Sequence, residues 1–228
     1  MIKWGVIGTG HMANIFAESI QEIDNAKLVA VSSRTKKSLE IFGDRFNIMK
    51  NFRFINNEEI CASEDIDAIY ISTLNNTHFD LIKLCAGNKK NILCEKPFCL
   101  NLNEAKELKK IIITNKVMFF EAIAYLSHPQ TDRIIDLVNN NEIGEIISIE
   151  STFGFKVRKI DPESRLFNKK LGGGAILDVG CYPMSFISLF LKNRNRIFFN
   201  KVEGEICHTN VDIAASANIT INDKIQCK

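Results

Sequence analysis

A glycine-rich turn near the N-terminus has the residue types and spacing of a nucleotide phosphate site. Residues 8–13 read Gly-Thr-Gly-His-Met-Ala and lie between an apolar run and a segment of helical periodicity. The first glycine permits a tight turn, the second lets the backbone approach a pyrophosphate, and the small last residue lets helix and strand pack closely. We predict that a dinucleotide binds at Gly8, Thr9, Gly10, His11 and Met12. A tight turn without a ligand is the alternative.

The second predicted strand ends in residues that favour NADP over NAD. In NAD sites this strand ends in Asp or Glu, which binds the ribose hydroxyls. Here the sequence is Ser32-Ser33-Arg34-Thr35-Lys36. A carboxylate would repel a 2′-phosphate, whereas Ser33 and Arg34 can donate hydrogen bonds to it. A helix cap followed by a solvated basic turn is the alternative.

Glu95-Lys96-Pro97 directly follows a buried run at residues 91–94. The residue before a proline is steered toward extended geometry, so Lys96 should stand at the carboxyl end of a parallel strand. Open α/β sheets bind ligands at that edge. A solvated lysine in a turn is the alternative.

The loop that begins at Thr73 lies at another ligand edge. Asn75 and His78 follow it, and we expect these three residues to contact the nicotinamide or the substrate. A capped start of the next helix explains the same residues equally well. His128 near the predicted domain boundary is more often structural than catalytic.

A second glycine-rich segment, residues 171–183, enters a mostly apolar helix. Asp178 and Tyr182 are four positions apart, so the helix should present them on one face. Such polar groups are costly to bury unless they are paired. Gly180 and Pro183 are poor helix residues and indicate a kink or a close backbone approach. A helix-capping aspartate and a core tyrosine are the alternative.

Alternating strands and helices over the first 120 or so residues predict a doubly wound parallel sheet, the Rossmann fold. Asn101 and Glu104 have the spacing of a capping box. Apolar runs predict strands at residues 2–7, 27–33, 68–73, 92–95 and 117–122. Helical spacing predicts helices at about residues 12–23, 36–46, 77–86 and 102–114.

The pattern changes after residue 122, which predicts two domains, 1–122 and 123–228. The second should be an α/β domain with an open, mostly antiparallel sheet, and we expect it to be incomplete. Asn222-Asp223 is typical of a hairpin turn leading into a returning strand. The other predicted elements are helices at residues 129–140 and 175–191 and strands at 145–155, 202–209 and 212–221.

Composition excludes several classes of partner. The 228 residues carry 29 Lys and Arg against 27 Asp and Glu, a net charge of +2, so nucleic acid and membrane surfaces are not expected partners. The seven cysteines are spread without zinc-ligand spacing, which predicts reduced thiols and no metal site. We expect neither a signal peptide nor a transit peptide and therefore a cytoplasmic protein.

Several of these motifs occur together in one known family. They are Gly8-Thr9-Gly10, Glu95-Lys96-Pro97, Glu121-Ala122, His128-Pro129-Gln130 and residues 172–183. The chain resembles the glucose–fructose oxidoreductase, inositol dehydrogenase and MocA (Gfo/Idh/MocA) family, in particular its dihydrodiol and D-xylose dehydrogenase-like members. The resemblance implies NAD(P)-dependent hydride transfer at a hydroxyl or carbonyl of a sugar, cyclitol or related diol. It also implies that the open sheet can form a homo-oligomer interface.

The resemblance implies a role for individual residues as well. Lys96 matches the catalytic lysine, a general acid and base; Asp178 matches the substrate-orienting aspartate, and Tyr182 the proton-relaying position. We also place Glu95 and Lys96 among the cofactor-binding residues. The chain departs from the family at Leu74 and Leu126, where proline and arginine are common, and family members usually continue well beyond this length.

Two functions remain open on the sequence alone. The first is an NADP-preferring dehydrogenase acting on CH–OH groups. The second is a non-catalytic NAD(P)-binding regulatory module or a truncated remnant. The presence of Lys96, Asp178 and Tyr182 favours the first, and the short second domain favours the second. A methyltransferase that uses the glycine turn would leave the lysine motif unexplained.

Overall fold

The computed structural model describes residues 1–191 and 196–228. By its backbone contacts the chain divides into two compact units, Met1–Ala122 and Ile123–Lys228.

The first unit is built around a six-stranded parallel sheet in the order β3-β2-β1-β4-β5-β6. The order reverses between β1 and β4, so the carboxyl ends of these strands flank the crevice where such sheets bind ligands. The predicted Rossmann sheet is confirmed. Its strands are β1 (Ile2–Ile7), β2 (Ala26–Ser32), β3 (Arg53–Phe54), β4 (Ala68–Ile71), β5 (Asn91–Glu95) and β6 (Phe119–Ala122). Its α-helices are α1 (His11–Ser19), α2 (Lys36–Arg45), α3 (Asn57–Ala62), α4 (His78–Gly87) and α5 (Leu102–Asn115).

In the middle of this sheet, β4 is apolar throughout because both of its faces are buried. All four residues of β4 are buried. Ile69 and Ile71 pack into one core cluster, while Tyr70 between them packs into another with Val6 and Val31. Successive residues of a strand point to opposite faces, so two cores need apolar residues at every position.

The start of α5 confirms the predicted capping box. The Asn101 side chain accepts a hydrogen bond from the Glu104 N–H at 3.0 Å. The Glu104 carboxylate in turn accepts from the Leu100 N–H at 2.8 Å. Two N–H groups at the helix start are satisfied in this way.

The sequence did not predict β3 and α3. β3 has two residues and α3 has six, which is too short for either periodicity to be recognised. The Asn56 side chain caps α3 by accepting from the Glu58 N–H at 3.1 Å. That cap was the available signal.

The second unit contains a four-stranded sheet in the order β7-β10-β9-β8. β8, β9 and β10 pair antiparallel, and β10 and β7 pair parallel, so the predicted open, mostly antiparallel sheet is confirmed. Asn222 and Asp223 both have positive φ, as the predicted hairpin turn requires. Its strands are β7 (Ser148–Ile149), β8 (Ile197–Ile206), β9 (Asp212–Ile221) and β10 (Ile225–Cys227), and its α-helices are α6 (Pro129–Asn139) and α7 (Cys181–Ser188).

Two strands of this unit differ from their predicted bounds. The long strand predicted at residues 145–155 is wrong: only Ser148–Ile149 is strand. The strand is confined to the stretch whose backbone is paired, since the bonds to residues 226–228 run from Ile147 to Ser151. Phe153 and Phe155 beyond them are 53% and 58% exposed. The strand predicted at 202–209 begins earlier, at Ile197, where it pairs with the far end of β9.

The helix predicted at residues 175–191 is irregular at its start. It opens with a π-helical turn, Ile176–Gly180, and continues as α7. The irregularity expected at Gly180 takes this form, since wide turns of this kind interrupt helices and recur at functional sites. Within residues 1–191 and 196–228 no helix has the length and apolar character needed to cross a membrane.

Candidate active site

The glycine turn after β1 is held between the ends of the neighbouring strands. Gly8 has φ +108°, and its N–H donates to the Ser32 carbonyl at the end of β2 at 2.9 Å. A Cβ on Gly8 would lie 2.8 Å from the Ser72 carbonyl oxygen after β4. Both the backbone conformation and the close approach therefore require glycine here.

The second glycine of the turn leaves room for a ligand. Gly10 is the N-cap residue of α1, and a Cβ added to it would meet no atom of the described residues within 4 Å. His11 and Met12 are exposed, while Ala13 is fully buried, where it packs α1 against the sheet. The first-turn N–H groups of α1 can therefore receive a pyrophosphate. This part of the site fits a dinucleotide.

Two predicted cofactor residues meet at the end of β2. The hydroxyl groups of Thr9 and Ser33 lie 3.3 Å apart. Arg34 is exposed beside them. The cap of α2 is Thr35, whose side chain accepts from the Ser38 N–H at 3.3 Å. Ser33 and Arg34 are thus not used to cap the helix, and their donors suit a 2′-phosphate.

His78 joins two loops at the ligand edge. Its ring is fully buried, with Nδ1 2.8 Å from the Pro97 carbonyl oxygen and Nε2 3.3 Å from that of Thr73. Burial lowers the pKa of His78 below its usual value of 6.5. An enclosed ring offers no surface to a ligand, so the predicted contact of His78 with the nicotinamide is corrected: the residue positions the loops.

Lys96 lies at the carboxyl end of β5 among carboxylates. It is half-buried, as is Glu95 before it, which accepts a hydrogen bond from the buried Tyr70 hydroxyl at 2.5 Å. Glu121 accepts from the Phe98 N–H at 3.1 Å. Burial raises the pKa of Glu121, and the Phe98 N–H and the charge of Lys96 act in the opposite direction. The placement of Lys96 suits proton exchange with a bound molecule.

In the second unit, two residues of the glycine run at 172–174 pass close to other parts of the chain. A Cβ on Gly173 would lie 2.7 Å from the Leu166 carbonyl oxygen, and one on Gly174, at φ +125°, would lie 2.2 Å from Asp212 Oδ1. The other oxygen of Asp212 accepts from the Ile176 N–H at 2.6 Å. The segment therefore threads between a loop and β9, and Asp212 fixes where the helical turn begins.

Asp178 is buried and paired, as a polar group in this apolar helix must be. It lies in the π-helical turn, 7% exposed, with Oδ1 2.9 Å from Arg165 Nη1. Tyr182 follows in α7, with its ring 5.0 Å from that of Phe153. Sequence analysis missed Arg165, because a charged residue in a polar loop gives no signal by itself.

Both units match models of one protein family. The model described as "Oxidoreductase family, NAD-binding Rossmann fold" matches residues 2–123, and the "GFO/IDH/MocA C-terminal domain" model matches residues 131–227. The chain belongs to the Gfo/Idh/MocA oxidoreductase family. The resemblance inferred from the motifs is confirmed.

Two relatives of this Gfo/Idh/MocA protein carry functional names. Trans-1,2-dihydrobenzene-1,2-diol dehydrogenase of Xenopus tropicalis is 30% identical over 226 residues, which cover 98% of this chain and 67% of the relative. D-xylose 1-dehydrogenase (NADP(+)) 2 of Haloferax volcanii is 27% identical over 212 residues, which cover 90% of this chain and 62% of the relative. The chain thus spans about two thirds of the length of these relatives.

Solved structures of the Gfo/Idh/MocA fold agree with the architecture. KijD10, a 3-ketoreductase from Actinomadura kijaniata solved with NADP and TDP-benzene, has a TM-score of 0.85 at 23% identity, covering 99% of this chain and 68% of that one. Aldose-aldose oxidoreductase from Caulobacter crescentus, complexed with glycerol, has a TM-score of 0.88 at 18% identity, covering 99% and 70%. At such identities the likeness establishes the fold.

Serine substitutions at two glycines should separate folding from cofactor binding. Gly8→Ser places a side chain against the Ser72 carbonyl and should lower the free energy of unfolding by about 1–3 kcal/mol. Gly10→Ser meets no such obstacle and should change it by less than about 0.5 kcal/mol. Its side chain would occupy the phosphate approach, so NADPH affinity should fall at least about tenfold. Urea unfolding and calorimetric titration measure both effects; unchanged affinity in Gly10→Ser would contradict this site.

Acid should destabilise the protein through His78. Above about pH 6.5 His78 is neutral folded and unfolded; below it the unfolded chain takes up a proton that the folded chain resists, so stability is lost as pH falls. Between about pH 6.5 and 5.5, the free energy of unfolding should therefore fall more in the wild type than in His78→Gln. Urea unfolding measures this, with the exposed His208→Gln as control. Identical acid dependence in wild type and His78→Gln would refute it.

Proposed function

We propose that this protein is an NADP-dependent dehydrogenase that transfers hydride between the nicotinamide and a hydroxyl or carbonyl group of a sugar, cyclitol or diol. The observation that carries the proposal is the half-buried Lys96 at the carboxyl end of β5, on the edge where this sheet binds ligands. Relatives named as diol and xylose dehydrogenases support the substrate class.

The first unit supplies the cofactor site in this proposal. The N–H groups behind Gly10 would hold the pyrophosphate, and Ser33 and Arg34 would hold the 2′-phosphate. Thr73, Asn75 and Glu95 lie at or just after the carboxyl ends of β4 and β5, and they would contact the nicotinamide in this proposal. When bound, the nicotinamide accepts or returns hydride.

Three side chains carry the proton and the substrate. Lys96 takes the proton of the reacting hydroxyl when the adjacent carbon gives up hydride, and returns it in reduction. In the second unit, Tyr182 matches the family's proton-relaying position, and its hydroxyl can donate and accept a proton. Asp178, held as an acceptor by its ion pair, receives a hydrogen bond from a second substrate hydroxyl.

Removal of the lysine amine tests the function. Lys96→Ala should lower kcat at least about 100-fold for NADP⁺-dependent oxidation of D-xylose and trans-1,2-cyclohexanediol, because general acid–base catalysis contributes about 10²–10⁴-fold. NADPH formation at 340 nm reports the rate. The exposed Lys109→Ala in α5 is the matched control. If Lys96→Ala turned over these substrates as fast as the wild type, the proposal would be contradicted. If the wild type bound NADPH but turned over no substrate, a nucleotide-binding module would be favoured.

We further propose that the sheet of the second unit joins copies of this chain. Among the described residues β8 is an edge strand, all ten of its residues are exposed, and Phe199 and Val202 are 59% and 63% exposed. An exposed edge strand readily pairs with another strand. Light scattering should find a dimer or larger species that Val202→Lys shifts toward monomer, while Ile41→Lys, 60% exposed on α2, does not. A wild-type monomer at every concentration would contradict this.

A further inference from the structure

Arg165 and Asp178 form an ion pair in which one side chain is buried and the other is exposed. Arg165 Nη1 lies 2.9 Å from Asp178 Oδ1. The Asp178 side chain is 9% exposed, whereas that of Arg165 is 53% exposed. One partner is therefore fixed within the second unit, and the other keeps part of its guanidinium surface open.

The backbone fixes Arg165 to the same segment that carries Asp178. The Gly174 N–H donates to the Leu166 carbonyl at 3.0 Å, and the Gly173 N–H donates to that of Asn168 at 3.0 Å. Gly173 also approaches the Arg165 carbonyl so closely that a Cβ there would lie 2.9 Å from its oxygen. Next along the loop, Phe167 is 7% exposed and anchors it. Gly173 and Gly174 thus hold the backbone of Arg165 in place.

The chemistry of this pair suits two neighbouring oxygens. A carboxylate only accepts hydrogen bonds, and a guanidinium only donates them, through five N–H groups in a rigid fork. A hydroxyl can donate to Asp178 while the adjacent oxygen of the same molecule accepts from the open side of Arg165. A mono-alcohol can use one of these contacts but not both.

We propose that Arg165 is a specificity residue that, together with Asp178, selects vicinal diols over mono-alcohols. The inference rests on the proposed function, because it assigns the substrate class of that site. Arg165 acts partly by holding Asp178 in place and partly by binding the second oxygen.

The test compares trans-1,2-cyclohexanediol with cyclohexanol, using NADP⁺ and the full chain. Arg165→Gln should lower kcat/KM for the diol about 10- to 100-fold, the range expected for one hydrogen bond to a charged group, and that for cyclohexanol less than about threefold. The KM for NADP⁺ should stay unchanged. Arg165→Lys, which keeps the charge without the fork, should recover part of the loss. Arg158→Gln, exposed in the same loop, is the matched control.

Equilibrium binding separates this inference from the proposed function. Saturation-transfer NMR of the NADPH-loaded protein measures the affinity of both alcohols whether or not they turn over. A diol preference that Arg165→Gln abolishes supports the inference even if no turnover occurs, in which case only the dehydrogenase proposal fails. Equal affinity for both alcohols in the wild type, or a preference that survives in Arg165→Gln, overturns it. If Arg165→Gln does not fold, a diol preference in Arg165→Lys equal to that of the wild type overturns it.

Discussion

The contact between Gly8 and the Ser72 carbonyl sits where the order of the parallel sheet reverses. β1 has β2 on one side and β4 on the other, so the chain leaving β1 must turn between two strand ends. A side chain at Gly8 would strike the Ser72 carbonyl, 2.8 Å from the position of its Cβ. The tight turn leads into α1, which packs against the sheet through Ala13 and Ala17 and leaves open space beside Gly10 at its start. The phosphate site, and the Thr9–Ser33 contact beside it, follow from this one constraint.

The second unit also contains glycines at which the backbone passes too close to other atoms for a side chain to fit. Gly173 and Gly174 pass close to a loop carbonyl and to the Asp212 carboxylate. The result is a helical turn that begins at a fixed point and carries a buried carboxylate, Asp178. Burial of that charge is tolerable because Arg165 lies 2.9 Å away. In both units glycine permits a close backbone approach, and the polar groups beside it are ones that the proposed function uses.

Sequence reasoning succeeded where signals repeat and failed where a single tertiary contact decides. The central strands of the first unit are apolar runs because both of their faces are buried, and such runs can be recognised in the sequence. β3 and α3 are too short to show a period. The segment at 145–155 alternates as a strand does, but only Ser148–Ile149 is strand, because strand pairing depends on a tertiary partner that the local sequence does not show. His78 contacts carbonyl groups that are 5 and 19 positions away in the chain. Arg165 contacts a carboxylate that is 13 positions away. Local sequence shows neither contact.

The charged groups of the two units are stabilised in different ways, and the difference matches the roles proposed for them. Glu95 and Glu121 are bound by neutral donors, the Tyr70 hydroxyl and the Phe98 N–H. The charge of the nearby Lys96 lowers the pKa of Glu121, against the larger effect of burial, which raises it. Asp178 is instead paired with a cation, Arg165, and a carboxylate in such a pair accepts hydrogen bonds. A lysine beside anions and a carboxylate beside a cation are the two kinds of group that the proposed oxidation of a diol would use, the first for proton exchange and the second as a hydrogen-bond acceptor.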